Sequence, residues 1–208
     1  MKKVILIATL IFTSLIIACN KSNPPAPAPP VPPSPVSSTF TDSRDGQTYD
    51  LVKIGNQTWF AENLNYQTID SWCYDNASSN CDTFGRLYYW NSAMFACPQG
   101  FHLPSREEWN ELIDTLGGLS LAGDKMKSFI GWKSPNSNSN ISGFSGLGSG
   151  SSFNNNFNDK NKETFFWSSF SAPGFTEKYC LRLRWNWSYA QDYSMNPNRG
   201  LCVRCLKD

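Results

Sequence analysis

Residues 96–112, ACPQGFHLPSREEWNEL, put the only histidine of the chain, His102, five residues after Cys97 and just ahead of Glu107, Glu108 and Glu111. Two readings compete for this stretch: a catalytic constellation, or one corner of a disulfide-braced fold. Its second half is a helix start. Ser105 and Glu108 have the spacing of a capping box, in which each side chain takes a backbone N–H left unpaired by the first turn. Trp109, Leu112, Ile113 and Leu116 then recur at i, i+3, i+4 and i+7, one apolar stripe, and Gly117 closes the helix. Carboxylates in a first turn are favoured by the helix dipole, so Glu107 and Glu108 need no catalytic purpose.

The choice for Cys97 depends on the compartment. The chain begins MKKVILIATLIFTSLIIAC: two lysines, an apolar run over 4–17, then Ile-Ile-Ala and Cys19. The run is short for a bilayer span and reads as the apolar core of a signal peptide covering 1–18. Its end resembles the bacterial lipobox, whose cysteine is acylated (palmitate is expected) and becomes the first mature residue. Cys19 is therefore the expected anchor to a bacterial membrane, the outer one by expectation. Residues 19–38 hold eight of the 13 prolines. Such a segment lacks the apolar bulk for a core and extends at about 3.1 Å per residue, giving a stalk of up to about 60 Å.

Residues 39–208 have the length of one domain with one sizeable core, and the 14% aromatic content supplies it. A formal net charge of +1 argues against nucleic acid as a partner. Setting Cys19 aside, six of the 7 cysteines remain, and an even number in an exported domain implies three disulfides among fifteen connectivities.

Alternation and the turn signals Asp45-Gly46 and Gly55-Asn56 predict an N-terminal hairpin with strands at 48–54 and 57–61. CYDNASSNC, 73–81, reads as a polar loop closed by cysteines. A short helix follows, with Asn91 as N-cap and Pro98 as its stop, then the capped helix, then a third helical piece over 122–130. Residues 133–164, rich in Ser, Asn and Gly, read as a long irregular surface loop. Strands return in TFFWSSF, KYCLRLRWNWSY and GLCVRCLK.

Strand alternation sorts the last cysteines by face. Leu181, Leu183, Trp185, Trp187 and Tyr189 share one side, while Cys180, Arg182, Arg184, Asn186 and Ser188 share the other. Leu201, Val203 and Cys205 share an apolar face, and Cys202 and Arg204 a polar one. Cys180 and Cys202, both on polar faces, are expected to bridge neighbouring strands. Cys205, facing the core, meets Cys97, and Cys73 and Cys81 close their own loop. A nucleophilic Cys–His pair needs a free thiol. With Cys97 oxidised, no catalytic residue is expected here, and His102 reads as a partly buried ring whose nitrogen caps a backbone group. One histidine also argues against zinc, so neither metal nor cofactor is expected.

FTDSRDGQTYDLVKIGNQTWFAENLNY, GRLYYWNSAMFACPQGFHLPSREEWNEL, AGDKMKSFIGW, FFWSSF and VRCLKD, in that order over 40–208, resemble the major paralogous domain first described in Fibrobacter succinogenes. Members of that family are commonly exported lipoproteins. AMFACPQGFHLPSREEWNEL is more distantly similar to C-type-lectin-like and formylglycine-generating-enzyme-like folds, in which a first-helix cysteine bridges to the last strand. The resemblance implies an α+β, C-type-lectin-like fold: a small twisted antiparallel sheet, two or three flanking helices and a long loop region. The calcium site of such lectins does not carry over, because Asn196-Pro197-Asn198 follows Trp185-Asn186-Trp187 in reverse order and without an aspartate. The redox activity of the enzyme branch does not carry over either, since the C-terminal cysteines have expected partners.

A disulfide-braced scaffold bearing a polar loop suits binding more than catalysis. The expected role is a non-catalytic cell-envelope lipoprotein whose extracytoplasmic domain binds a glycan or a protein. The alternatives are an envelope enzyme acting on polysaccharide or cell wall, and a purely structural protein. The candidate ligand residues are Trp187 and Tyr189, where the aromatic row outruns a small core, with Asn186 and Asn198 as hydrogen-bonding neighbours.

Overall fold

A computed structural model describes residues 36–208; the expected signal peptide, Cys19 and most of the expected stalk lie outside the described residues. Along the chain, β1 (Val36–Thr41), β2 (Thr48–Ile54) and β3 (Gln57–Phe60) form a meander. Then come β4 (Ser71–Trp72), a 3-10 turn at Tyr74–Asn76, α1 (Ser78–Phe84), β5 (Leu87–Tyr88) and α2 (Trp90–Ala93). β6 (Phe101–His102) leads into α3 (Arg106–Thr115) and α4 (Leu119–Met126). The second half is strand: β7 (Ser149–Phe153), β8 (Asn156–Lys160), β9 (Glu163–Trp167) and β10 (Lys178–Arg184), then β11 (Gln191–Met195), β12 (Arg199–Cys202) and β13 (Leu206–Lys207). The fold is α+β, mostly curled sheet, with four short helices.

Two sheets carry it, one ordered β1-β2-β3-β13-β6 and one ordered β11-β10-β9-β7-β12-β5-β4, with β8 on β7. The named pairings are antiparallel except that β9 runs parallel to β7 and β12. Both faces of the central strands are buried. Trp59, Trp109, Leu112, Phe144, Phe166, Leu181, Leu183 and Cys202 form one core cluster. Tyr49, Phe60, Tyr88, Phe165, Trp167, Cys180, Leu201, Val203 and Cys205 form the other. Neighbours in sequence thus serve opposite cores, as a period of two requires.

That two-sided burial corrects the third disulfide. Cys73–Cys81 and Cys97–Cys205 are formed, with Cα–Cα distances of 4.9 and 5.8 Å, but Cys180 and Cys202 are free buried thiols. β9 lies between them, with Cys180 opposite Trp167 and Cys202 opposite Phe166. Two strand spacings, roughly 9.5 Å, separate the cysteines, which also face different cores, and a bridge needs Cα atoms within about 7 Å. The face expected to be polar is instead a second core.

Other expectations shift. The 73–81 loop is a 3-10 turn and α1, and α2 starts at Trp90 with Tyr89 rather than Asn91 as its N-cap. The third helix runs Leu119–Met126, ending before Lys127, which is extended and bridges Gly146. The strand through the tryptophans stops at Arg184. The 133–164 loop contains the β7–β8 hairpin, and Ser149, Ser151 and Ser152 in it are buried. Strands approach there too closely for larger side chains: a Cβ on Gly150 would lie 2.3 Å from the Asn158 carbonyl oxygen, and one on Gly200 would lie 2.1 Å from Ser152 Oγ.

At the centre sits Arg204, fully buried. Its Nε and Nη2 donate to Asn63 Oδ1 at 3.2 and 2.7 Å, and its Nη1 donates to the carbonyls of Phe60, at 3.1 Å, and Phe144. The guanidinium lies 4.3 Å from the Phe144 ring centroid and 5.4 Å from that of Phe166. Burial lowers its pKa to about 10, with Glu62 pulling the other way, so it keeps its charge at neutral pH.

Arg204→Ala leaves three oxygen acceptors buried and unpaired, and is expected to cost about 3–5 kcal/mol in denaturant unfolding of the 36–208 fragment. Arg204→Lys, which cannot span Asn63 and two carbonyls, should recover little of it. A loss under about 1 kcal/mol in Arg204→Ala would contradict this account. Non-reducing peptide mapping should find the two bridges above and two thiols, which react with iodoacetamide slowly in the native fragment and quickly in guanidinium, since burial raises both thiol pKa values. Isolation of a Cys180–Cys202 peptide would overturn the strand order.

Candidate ligand groove and the histidine clamp

The sequence placed the ligand residues at Trp187 and its neighbours. In the structure they lie in the turn between β10 and β11, which packs on α4. Gly123 makes that approach feasible, because a Cβ there would meet the Tyr189 carbonyl oxygen at 2.4 Å. Buried Lys127 donates to the carbonyls of Arg184, at 3.1 Å, and Trp187, at 2.6 Å, while pairing with Asp124 at 3.0 Å. Tyr189 stacks on Trp187 at 4.5 Å, and the guanidiniums of Arg184 and Arg182 lie 4.8 and 5.1 Å from the Trp187 ring. With this cover Trp187 is half-buried, and Tyr189 offers the outward ring. Leu181 and Leu183 fill the core with Trp185 packed against it. Asn186 is exposed beside them. Asn198 is not brought to this turn. It follows Met195, which pairs with Lys178 at the far end of β10, and it sits in a turn whose Pro197 carbonyl accepts from Trp90 N–H.

A larger groove opens further along the same sheet edge, and sequence reading missed it. Arg106, the first residue of α3, is aimed by the Ser105 cap; the capping box is formed, with Glu108 N–H donating to Ser105 Oγ at 3.1 Å. The Arg106 Nη2 reaches Asp192 Oδ2 on β11 at 2.8 Å, and the Tyr179 hydroxyl on β10 donates to the other Asp192 oxygen. Burial and that bond push the Tyr179 pKa far above its usual range. Phe170, Phe175 and Glu177 from the connection between β9 and β10, with Tyr193 and Ser194 from edge strand β11, complete a groove of about 530 Å³. Phe175 is 70% exposed and Tyr193 37%. Asp192 also lines a neighbouring depression of about 430 Å³ with Leu119 and Tyr189, so groove and turn adjoin. No single stretch signals this site; the one sequence cue is the pair of aromatic residues, Phe170 and Phe175, in a short connection between strands.

The opening histidine proves to be a clamp. Cys97 is oxidised, and His102 uses both ring nitrogens on carboxylates rather than on the backbone: Nδ1 lies 2.7 Å from Asp208 Oδ1, and Nε2 lies 2.9 Å from Glu108 Oε1. The other Glu108 oxygen accepts from Ser105 N–H at 2.7 Å. Among the described residues no three His, Cys, Asp or Glu side chains gather as metal ligands. A further cleft, about 360 Å³, carries Asp50, Glu62 and Asp82. Desolvation raises the Glu62 pKa, Arg204 opposes the rise and Asp50 adds to it.

Residues 52–207 match the Fibrobacter succinogenes major domain, three quarters of the chain, and the protein belongs to that family. No curated protein and no solved structure matches it.

Desolvation lowers the His102 pKa, but the bonds to Asp208 and Glu108 outweigh it, and the result is a raised value. The clamp therefore stabilises the fold fully below the unfolded value of about 6.5, and the contribution is lost as pH rises through the folded pKa. As the single imidazole, His102 can be titrated by NMR; its pKa should lie above 6.5 and fall in Asp208→Asn and in Glu108→Gln. A value at or below 6.5 in the parent fragment would remove the clamp.

Proposed function

We propose that the protein is a cell-envelope lipoprotein, anchored through Cys19, whose domain is a non-catalytic glycan-binding module with its site at the β11 edge. The observation carrying the site is the exposed ring of Phe175 on the wall of a groove that also holds Arg106, Asp192 and Ser194, with Tyr193 at its rim, its ring packed by Phe165 and the Arg182 guanidinium. Aromatic faces stack on the apolar side of a sugar ring while fixed polar groups take its hydroxyls. Tyr189, in the adjoining depression, extends the surface along β11, so the ligand is an oligosaccharide rather than a single sugar. Trp187 then acts as backing for Tyr189, and Asn186 is the amide within reach of that end.

A C-type-lectin-like arrangement belongs to the same proposal. Its support is the Cys97–Cys205 bridge, which ties the segment after α2 to the last strands. The non-catalytic reading draws support from the cysteines of the described residues, each either oxidised or buried, and from Asp192, whose two oxygens are already engaged. The competing enzyme reading is favoured by one observation, the Asp50, Glu62 and Asp82 cleft, since a carboxyl of raised pKa near a second carboxylate suits general acid catalysis.

A glycan array followed by calorimetry on the 36–208 fragment should find an oligosaccharide ligand. Phe175→Ala should weaken it by about tenfold, ~1.4 kcal/mol, with little change in melting temperature because the ring is exposed. Unchanged affinity in Phe175→Ala would remove the groove as the site. Release of reducing ends from a polysaccharide, lost in Glu62→Gln, would instead establish the enzyme.

A further inference from the structure

We infer that this groove prefers glycans bearing a protonated amine, such as glucosamine units, over neutral ones, and rejects acidic ones; the inference rests on the glycan-binding reading above. The reason is which charges on the lining are free. Arg106 and Asp192 neutralise each other's charge at 2.8 Å, and the second Asp192 oxygen is taken by Tyr179. The Arg106 guanidinium is further held over the rings of Tyr179, at 5.2 Å, and Phe170, at 5.8 Å. Its charge is cancelled by Asp192, although the side chain stays 42% exposed and its Nε has no hydrogen-bond partner. Glu177 differs: it is exposed, lines the groove and has no ion-pair partner among the described residues.

The cations nearest in sequence and register are also engaged elsewhere. Lys178 bonds Ser171 Oγ at 2.5 Å and lies 4.8 Å from the Trp90 ring, while Arg182 and Arg184 are both paired with Glu163, and Arg182 also covers the Tyr193 ring at 5.0 Å. What remains is one uncompensated carboxylate among aromatic faces. An ammonium gains from both, through Coulomb attraction to the carboxylate and through the negative face of Phe175. An N-acetylated sugar of the same length keeps the stacking and loses the charge, and a uronate adds repulsion from Glu177.

Calorimetry on the 36–208 fragment with three tetrasaccharides separates these terms: fully deacetylated glucosamine, N-acetylglucosamine and galacturonate, at pH 6 and low salt. The deacetylated tetramer should bind about five- to tenfold more tightly than the acetylated one, the uronate should bind more weakly than either, and 0.5 M salt should shrink the ratio. Glu177→Gln should bring the ratio close to one. An acetylated tetramer that binds as well as the deacetylated one overturns the amine preference while leaving the glycan reading in place, as does a ratio that Glu177→Gln does not move. Failure of all three to bind overturns both.

Discussion

A guanidinium with no exposed surface is the constraint around which this domain is organised. Arg204 fastens three segments distant in sequence: the C-terminal run, the end of β3 through Phe60 and Asn63, and the irregular stretch that carries Phe144. A charge out of water is tolerated only when its donors find good acceptors, and here four bonds and two ring faces supply them. The same run is tied by main-chain bonds from Phe60 N–H to the Cys205 carbonyl and from Leu64 N–H to the Val203 carbonyl, and by the Cys97–Cys205 bridge. The chain ends by threading the space between two cores, which is why every residue from Gly200 to Leu206 is buried.

The central location of that run explains both the free thiols and the small residues. With cores on both sides, Cys180 and Cys202 act as compact hydrophobic fillers, one in each cluster. Gly150 lets β7 lie close against β8, where a Cβ would collide with the Asn158 carbonyl, and Gly200 of β12 leaves room for the Ser152 side chain of β7.

The groove follows from the same architecture at its rim. α3 starts where Ser105 caps it, which aims Arg106 at β11, and the antiparallel pairing of β10 with β11 sets Tyr179 and Asp192 on one face to receive it. The connection between β9 and β10 brings Phe170, Phe175 and Glu177 over that trio. β11 is the end strand of its sheet, so the opposite edge of the site stays open to a long ligand.

What the sequence determined by itself was local. The capping box, the Trp109 to Leu116 stripe, the β2–β3 hairpin and two of the bridges follow from short-range geometry or from one core-facing cysteine meeting another, and residues 96–112 held as a disulfide-braced corner with a capped helix. The tertiary structure decided what lies on the second face of a strand. Alternation of Leu with Cys or Arg reads as core against solvent when one face is buried, yet here the polar-looking face holds Arg204 and Cys202 in a second core. Sequence could not signal this, because the acceptors that make such burial affordable, Asn63 and the carbonyls of Phe60 and Phe144, come from segments about 60 to 140 residues away. The groove was hidden for the same reason. Arg106 and Asp192 are ordinary surface residues in their own stretches and Tyr179 is a core residue of its strand, and only sheet register and helix entry bring the three together, leaving Glu177 unpaired beside them.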